Sequence, residues 1–167
     1  MVPQMSDVLA AGELTLRVLT PGDHADVHAI FSDPQTHTIG DGPVRDPEET
    51  RLWLERRAVR RDSHGVTWYG VCRSDGTMIG TAGLLIGRTA PYPELGLEIR
   101  WPDQGRGFGT TAAAAVVAEG HRAGFGQVWA SVRSWNAASL RVLYRIGFRR
   151  DRSEGNLIYL MHSTRVA

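Results

Sequence analysis

A single mixed α/β domain is what this sequence predicts, one sheet with helices on both faces. Three observations carry that expectation. The chain has 167 residues, the length of one domain with room for a substantial core. Runs that alternate at strand period are interleaved with stretches whose apolar residues recur at helical period. Glycine- and proline-containing junctions separate them, without internal repeats or a low-complexity linker.

Residues 1–12 read as a loose leader ahead of a domain over 13–167. Leu14 to Leu19 alternates and predicts the first strand. Thr20-Pro21-Gly22-Asp23 is a helix start, with proline at the first helical position and an acid at the third. That helix runs to about Phe31, with Val27, Ile30 and Phe31 inward. Asp33 to Arg45 holds Pro34, Gly40, Gly42 and Pro43 and reads as loop. Asp46-Pro47-Glu48-Glu49 opens a second helix. It carries Leu52, Trp53 and Leu54, then the basic run Arg56, Arg57, Arg60, Arg61.

Thr67 to Cys72 predicts a strand, joined by the Ser74-Asp75-Gly76 turn to a strand over Met78 to Ile86. Glu94 to Trp101 follows as another. A glycine loop then leads into a helix to about Ala123, closed by Gly124 and Gly126. Gln127 to Val132 is a strand. Asn136 to Ile146 is a helix, ended by Gly147. Phe148 to Arg150 and Leu157 to His162 form a last hairpin around Glu154-Gly155-Asn156. The predicted order is β-α-α-β-β-β-α-β-α-β-β.

Composition removes several classes of function. The formal net charge of +1 gives no bulk electrostatic case for nucleic acid or a membrane surface. All 19 basic residues are arginine, so a side-chain lysine cannot be autoacetylated. One cysteine, Cys72, excludes an intramolecular disulfide and a cysteine-rich metal site. Its strand setting predicts a buried, inert thiol. No signal peptide and no apolar segment of membrane-spanning length is recognisable, and a cytoplasmic protein is expected.

The densest signal is Gln104-Gly105-Arg106-Gly107-Phe108-Gly109, followed by Thr110-Thr111 and an alanine-rich helix former. Glycines allow close backbone approach, and the first amides of a helix lack intrahelical partners. Such a junction binds phosphate or pyrophosphate. A tight strand-to-helix connection is the structural alternative. The P-loop reading fails because it needs lysine. The dinucleotide fingerprint is weak, because position 110 is threonine.

Gln104-x-x-Gly107-x-Gly109 resembles the Q/R-x-x-G-x-G/A motif of the GNAT N-acetyltransferase superfamily. Glu94 to Ile99 is similar to that family's fourth strand. Asn136-Ala137-Ala138-Ser139, ending at Gly147-Phe148, resembles its N-x-x-S…G-F segment. Leu16-Arg17, Asp33-Pro34 and Glu49 to Leu54 resemble the RimJ/RimL-like branch. The resemblance covers about residues 12–163. It implies a mostly antiparallel central sheet flanked by helices, the acyl-CoA N-acyltransferase fold.

The resemblance further implies acetyl-CoA as cosubstrate, lying in a splayed gap between the strands at 94–101 and 127–132. Backbone amides of Gln104, Gly105, Arg106, Gly107, Phe108, Gly109 and Thr110 would hold the pyrophosphate. Backbone near Ile99 and Trp101 would pair with the pantetheine, and Asn136 would face it from the other side. The implied acceptor is a primary amine of a protein N-terminus, a peptide or a small molecule. A homodimer is the implied assembly. A non-catalytic acyl-CoA-binding sensor on the same fold is the competing expectation.

Amine acetylation needs a base for the ammonium, an acid for the departing thiolate and a donor for the developing oxyanion. A backbone amide on the strand at 94–101 could supply that donor. Glu94 begins this strand and is the first base candidate. Glu98 shares its face unless a bulge intervenes, and a water relay is the alternative to both. Ser139 is the first acid candidate and Tyr144 the second. The family's tyrosine place is held here by Leu143, with Tyr144 one step on, about 100° around the helix. Pro102 also falls one position later than the family's proline, where this chain has Trp101. That places the register of Glu94 and Glu98 in question.

Other residues read as scaffold. His24 and His28 are spaced i, i+4 but lack a zincin carboxylate between them, so an exposed helix face is expected and no metal. The arginine run at 56–61 predicts a solvated face. Trp53 is expected in the core, and Trp135 near the cofactor or at a subunit interface. The loops Thr36 to Val44 and Arg88 to Pro93, with His37, Asp41, Asp46 and Tyr92, are expected near the acceptor.

Overall fold

The computed structural model describes residues 4–36, 42–86 and 92–164. Among these residues eight strands form one sheet: β1 (Val8–Ala11), β2 (Leu14–Val18), β3 (Trp68–Cys72), β4 (Met78–Leu85), β5 (Glu94–Ile99), β6 (Gln127–Arg133), β7 (Arg149–Glu154) and β8 (Leu157–Ser163). Their order is β1-β2-β3-β4-β5-β6-β8-β7. Every pairing is antiparallel except β5 with β6. The helices are α1 (His24–Phe31), α2 (Pro47–His64), α3 (Phe108–Arg122) and α4 (Ala137–Arg145). His37, Asp41 and most of the loop at 88–93 lie outside the described residues.

The strand β1 lies inside the segment expected as a loose leader. It pairs with β2 from Val8↔Arg17 to Ala11↔Leu14. Gly12, at φ +58°, permits the tight turn between them. Val-Leu-Ala-Ala has no polar alternation, so its strand character comes from its neighbour rather than from its own pattern.

Each sheet face carries its own core. On one face α3 lays Ala112, Val116 and Val117 against Val71, Ile79 and Leu84. On the other, Val27, Ile30 and Phe31 of α1 and Leu54 of α2 pack on Cys72 and Met78. Alternate residues of β3 therefore serve opposite layers, as strand geometry requires. The short turn Pro21–Asp23 leads into α1, and Thr20 N–H donates to the Asp23 carboxylate at 2.8 Å. Asp46 caps α2 by accepting from Glu48 N–H at 2.9 Å, and Gly65 ends that helix at φ +74°.

His24 and His28 are half-buried rather than on an exposed face. His24 Nε2 meets the Pro47 carbonyl at 2.8 Å and His28 Nδ1 meets Thr50 Oγ1 at 2.7 Å, joining α1 to α2. The arginine run is likewise not a uniformly solvated face. Arg57 stacks on Trp53 and Trp68, with its guanidinium 4.7 and 5.0 Å from the two rings. Arg61 donates to Thr67 Oγ1 at 3.1 Å and pairs with Asp7. Among the described residues, no helix is long and apolar enough to cross a membrane. Among the same residues, no group of three or more histidine, cysteine, aspartate or glutamate side chains is placed to hold a metal ion.

Candidate active site

The sheet opens at one place. β5 and β6 pair only at Glu94↔Trp129, where Trp129 N–H donates to the Pro93 carbonyl at 2.8 Å. Beyond that point the two parallel strands part. The β4–β5 register shows which groups face the opening. Arg100 N–H donates to Ile79 O, so Gly80 and Ile99 form a non-hydrogen-bonded pair. The N–H and C=O groups of Leu97 and Ile99 therefore point away from β4, toward the side β6 has left. An extended chain entering the gap meets a strand edge ready to pair.

Two of the backbone groups expected near the pantetheine already have protein partners. The Gln104 side chain donates to the Ile99 carbonyl at 2.8 Å, and Trp101 N–H donates to Thr36 Oγ1 at 3.1 Å. Leu97, absent from the sequence expectation, takes their place on the gap edge. The register runs without a shift from Glu94 to Ile99. Pro102 lies beyond the strand, in the 3-10 turn Trp101–Asp103. Its offset therefore leaves the facing of Glu94 and Glu98 intact.

At the mouth of the gap the chain turns into α3 through Gly105 and Gly107, at φ +78° and +83°. A Cβ built at either position meets nothing within 4 Å. These glycines are required by backbone conformation, and the space above them is open. The first intrahelical bond of α3 is Thr111 N–H to Gly107 O at 3.1 Å. The amides of Phe108, Gly109 and Thr110 precede it and point out of the helix end. Open space over an amide-rich helix start fits a phosphate-bearing ligand. Arg106 is exposed beside it.

Glu94 and Glu98 share one face of β5, with Gly96 between them. The Trp68 indole lies across Gly96, so close that a Cβ there would fall 2.1 Å from its Cη2. Glu94 is 4% exposed, and Ser131 on β6 donates its hydroxyl to Glu94 Oε1 at 2.5 Å. Trp129 and Ser131 occupy the β6 face opposite the core residues Val128, Ala130 and Val132. A carboxylate thus sits where the strands part, on the face covered by α1 and α2. Nothing in the sequence marks Ser131 as part of the site, and Trp68 stands out only as one of five tryptophans able to line a pocket. Each lies one residue from a predicted strand end, a placement no motif marks.

Across the gap, Asn136 caps α4 by accepting from Ser139 N–H at 3.2 Å. Leu143 is buried in the α3-side core. Ser139, four residues earlier, shares its helix face. Tyr144 is 49% exposed. The helix therefore turns Ser139 inward and Tyr144 outward.

A sheet parted between two parallel strands, with an amide-rich helix start at its mouth, defines an α/β domain of the acyltransferase type. The model of the acetyltransferase (GNAT) domain family matches residues 13–149, and the chain belongs to that family. It is an N-acetyltransferase with acetyl-CoA as cosubstrate. Its relatives include the uncharacterized N-acetyltransferase YoaA of Bacillus subtilis, 28% identical over 151 residues, 88% of this chain and 85% of that protein. The structure of yncA, a putative acetyltransferase from Salmonella typhimurium with acetyl-CoA, superposes with a TM-score of 0.74 at 21% identity. That match covers 92% of this chain and 95% of the other. RimL, a ribosomal L7/L12 alpha-N-protein acetyltransferase in complex with coenzyme A, gives 0.80 at 18% identity, over 93% and 97%.

Proposed function

We propose that this protein transfers an acetyl group from acetyl-CoA to a primary amine by direct attack in a ternary complex. The acceptor is a protein N-terminus, a peptide or a small amine. The observation that carries the proposal is the buried Glu94, held by Ser131 where β5 and β6 part. A covalent detour has no support: there is no lysine, and burial pushes the pKa of the lone thiol, Cys72, up.

Acetyl-CoA supplies the activated thioester carbonyl. The amides of Gly105 to Thr110 and the Arg106 side chain hold phosphate at the start of α3, whereas the expected Gln104 amide already donates to the Trp101 carbonyl at 3.2 Å. The gap-facing N–H and C=O of Leu97, with the Ile99 N–H, align the pantetheine as an added strand, and Asn136 faces it from α4. Glu94 removes a proton from the acceptor ammonium, with Glu98 on the same face beyond Trp68. A gap-facing N–H of β5 donates to the carbonyl oxygen as charge builds there. Ser139, on the inner side of α4, hydrogen-bonds the departing thiolate and relays to it a proton taken up from solvent. RimL, whose described acceptors are ribosomal-protein N-termini, favours the peptide end of the acceptor range. A cytoplasmic homodimer, with exposed Trp135 at the subunit contact, belongs to the same proposal.

A panel of amines and N-terminal peptides, scored by free thiol release from acetyl-CoA, tests this. At least one acceptor should turn over, and Glu94→Gln should cut kcat by about 10²-fold. No release with any acceptor sinks the catalytic reading.

A further inference from the structure

Asp103 closes the 3-10 turn before the glycine loop and is 2% exposed. Its carboxylate meets guanidinium groups from three segments. Arg100, following β5, contacts it through Nε. Arg73, at the start of the β3–β4 hairpin, reaches it at 3.6 Å, and Arg106, inside the loop, at 4.0 Å. The carboxylate is inside and the three arginines keep part of their length in solvent. The buried carboxylate faces three cations, and Arg73 among them also lies near the exposed Asp75.

The same cluster holds both ends of the loop. Asp103 N–H donates to the Arg100 carbonyl at 3.0 Å, fixing the entry. Arg73 also lies over the Phe108 ring, 6.0 Å from its centroid, and Phe108 is the first residue of α3. Residues 104–107 are strung between these anchors. Arginines on flexible stems would otherwise spread their charge over many positions. Fixing them before the ligand arrives removes ordering cost from binding.

We propose that Asp103 is a positioning residue for acetyl-CoA. It sets the entry of the glycine loop and aims Arg73 and Arg106 so that the loop meets phosphate groups already organised. This rests on the glycine loop being the phosphate site.

The sign of one substitution separates positioning from bare charge. Asp103→Asn removes a negative charge, so charge alone would tighten an anionic ligand. Lost positioning weakens it. Titration calorimetry of CoA into the ligand-free protein should show Kd raised on the order of tenfold. An unchanged or lower Kd in a folded variant overturns the proposal. Should Asp103→Asn not fold, Arg73→Gln on the solvent-facing hairpin replaces it. Its weakening should persist at about 0.5 M salt, where exposed charges are screened. Weakening that vanishes there marks bare charge and overturns the proposal. Gly107→Val distinguishes the two levels. If it abolishes CoA binding while Asp103→Asn leaves Kd unchanged, positioning fails alone. If Gly107→Val still binds CoA, the loop assignment fails and positioning with it.

Discussion

The Ser131 hydroxyl donates to Glu94 Oε1 at 2.5 Å across the one residue pair that still joins β5 to β6. The bond ties the carboxylate to the point of separation and orients the oxygen it holds. A hydrogen bond to a charged group contributes about 1.5–3 kcal/mol. Ser131→Ala should therefore lower kcat by about tenfold or more. Ser131→Thr, which keeps the hydroxyl, should recover most of it. Equal rates in wild type and Ser131→Ala would remove Ser131 from the site.

Gly96→Ala should displace Trp68. The new Cβ would lie 2.1 Å from the indole, and the ring is wedged by Trp53 and Arg57. Overpacking of this kind costs about 1–3 kcal/mol. Thermal unfolding should report the loss, and acceptor KM should rise because the wall between Glu94 and Glu98 moves. An unchanged melting temperature would contradict the close approach.

Gly107→Val should abolish the thermal stabilisation given by acetyl-CoA. Valine at φ +83° is strained and branched at Cβ. The backbone must then leave the conformation that turns the α3 amides outward. Differential scanning fluorimetry with acetyl-CoA against free adenine nucleotides measures it. A full acetyl-CoA shift in the folded variant is the contrary outcome.

Acid should weaken the fold in two windows. His121 Nε2 and His162 Nδ1 lie 2.9 Å apart, a contact with room for one proton. Burial first, and His121 second, hold the His162 pKa below 6.5. An imidazole with a lowered folded pKa contributes stability above its unfolded value. That stability is lost as pH falls through the folded value, so the first loss starts below about pH 6.5. Burial pushes the Asp23 and Glu119 carboxyls up. Hydrogen bonds from Arg17 and Thr20, and from Arg122 and Ser6, outweigh burial and hold them below 3.8 and 4.5. Their stability is present above those values and is lost further down. Urea midpoints from pH 8 to 3 should fall in both windows, and His162→Gln should flatten the upper one. A flat profile between pH 7 and 5.5 in wild type would exclude the histidine contribution.

Particular residues show how far the pattern of the chain reached. The alternation of Gln127 to Arg133 and the helical spacing of Val27, Ile30 and Phe31 were legible because the side chains that repeat are the ones that bury. The glycine loop was legible because positive φ leaves a residue-type signature. Val8–Ala11 was not, because a short uniform segment takes its structure from the edge it pairs with. His24 and His28 were misjudged because their partners, Pro47 and Thr50, lie more than twenty residues away.

The sequence alone determined the α/β class, the order of its elements after β1, the glycine loop and the resemblance that led to acetyl-CoA. All of these are written in local spacing. Only the tertiary structure decided that the last pair before β5 and β6 part is Glu94 with Trp129, and that the register before Pro102 is unbroken. It alone brought Ser131 to Glu94, thirty-seven residues apart, and gathered Arg73, Arg100 and Arg106 around Asp103. Hydrogen bonds and ion pairs act over a few ångströms of space, whatever the distance along the chain, so no run of residues records them.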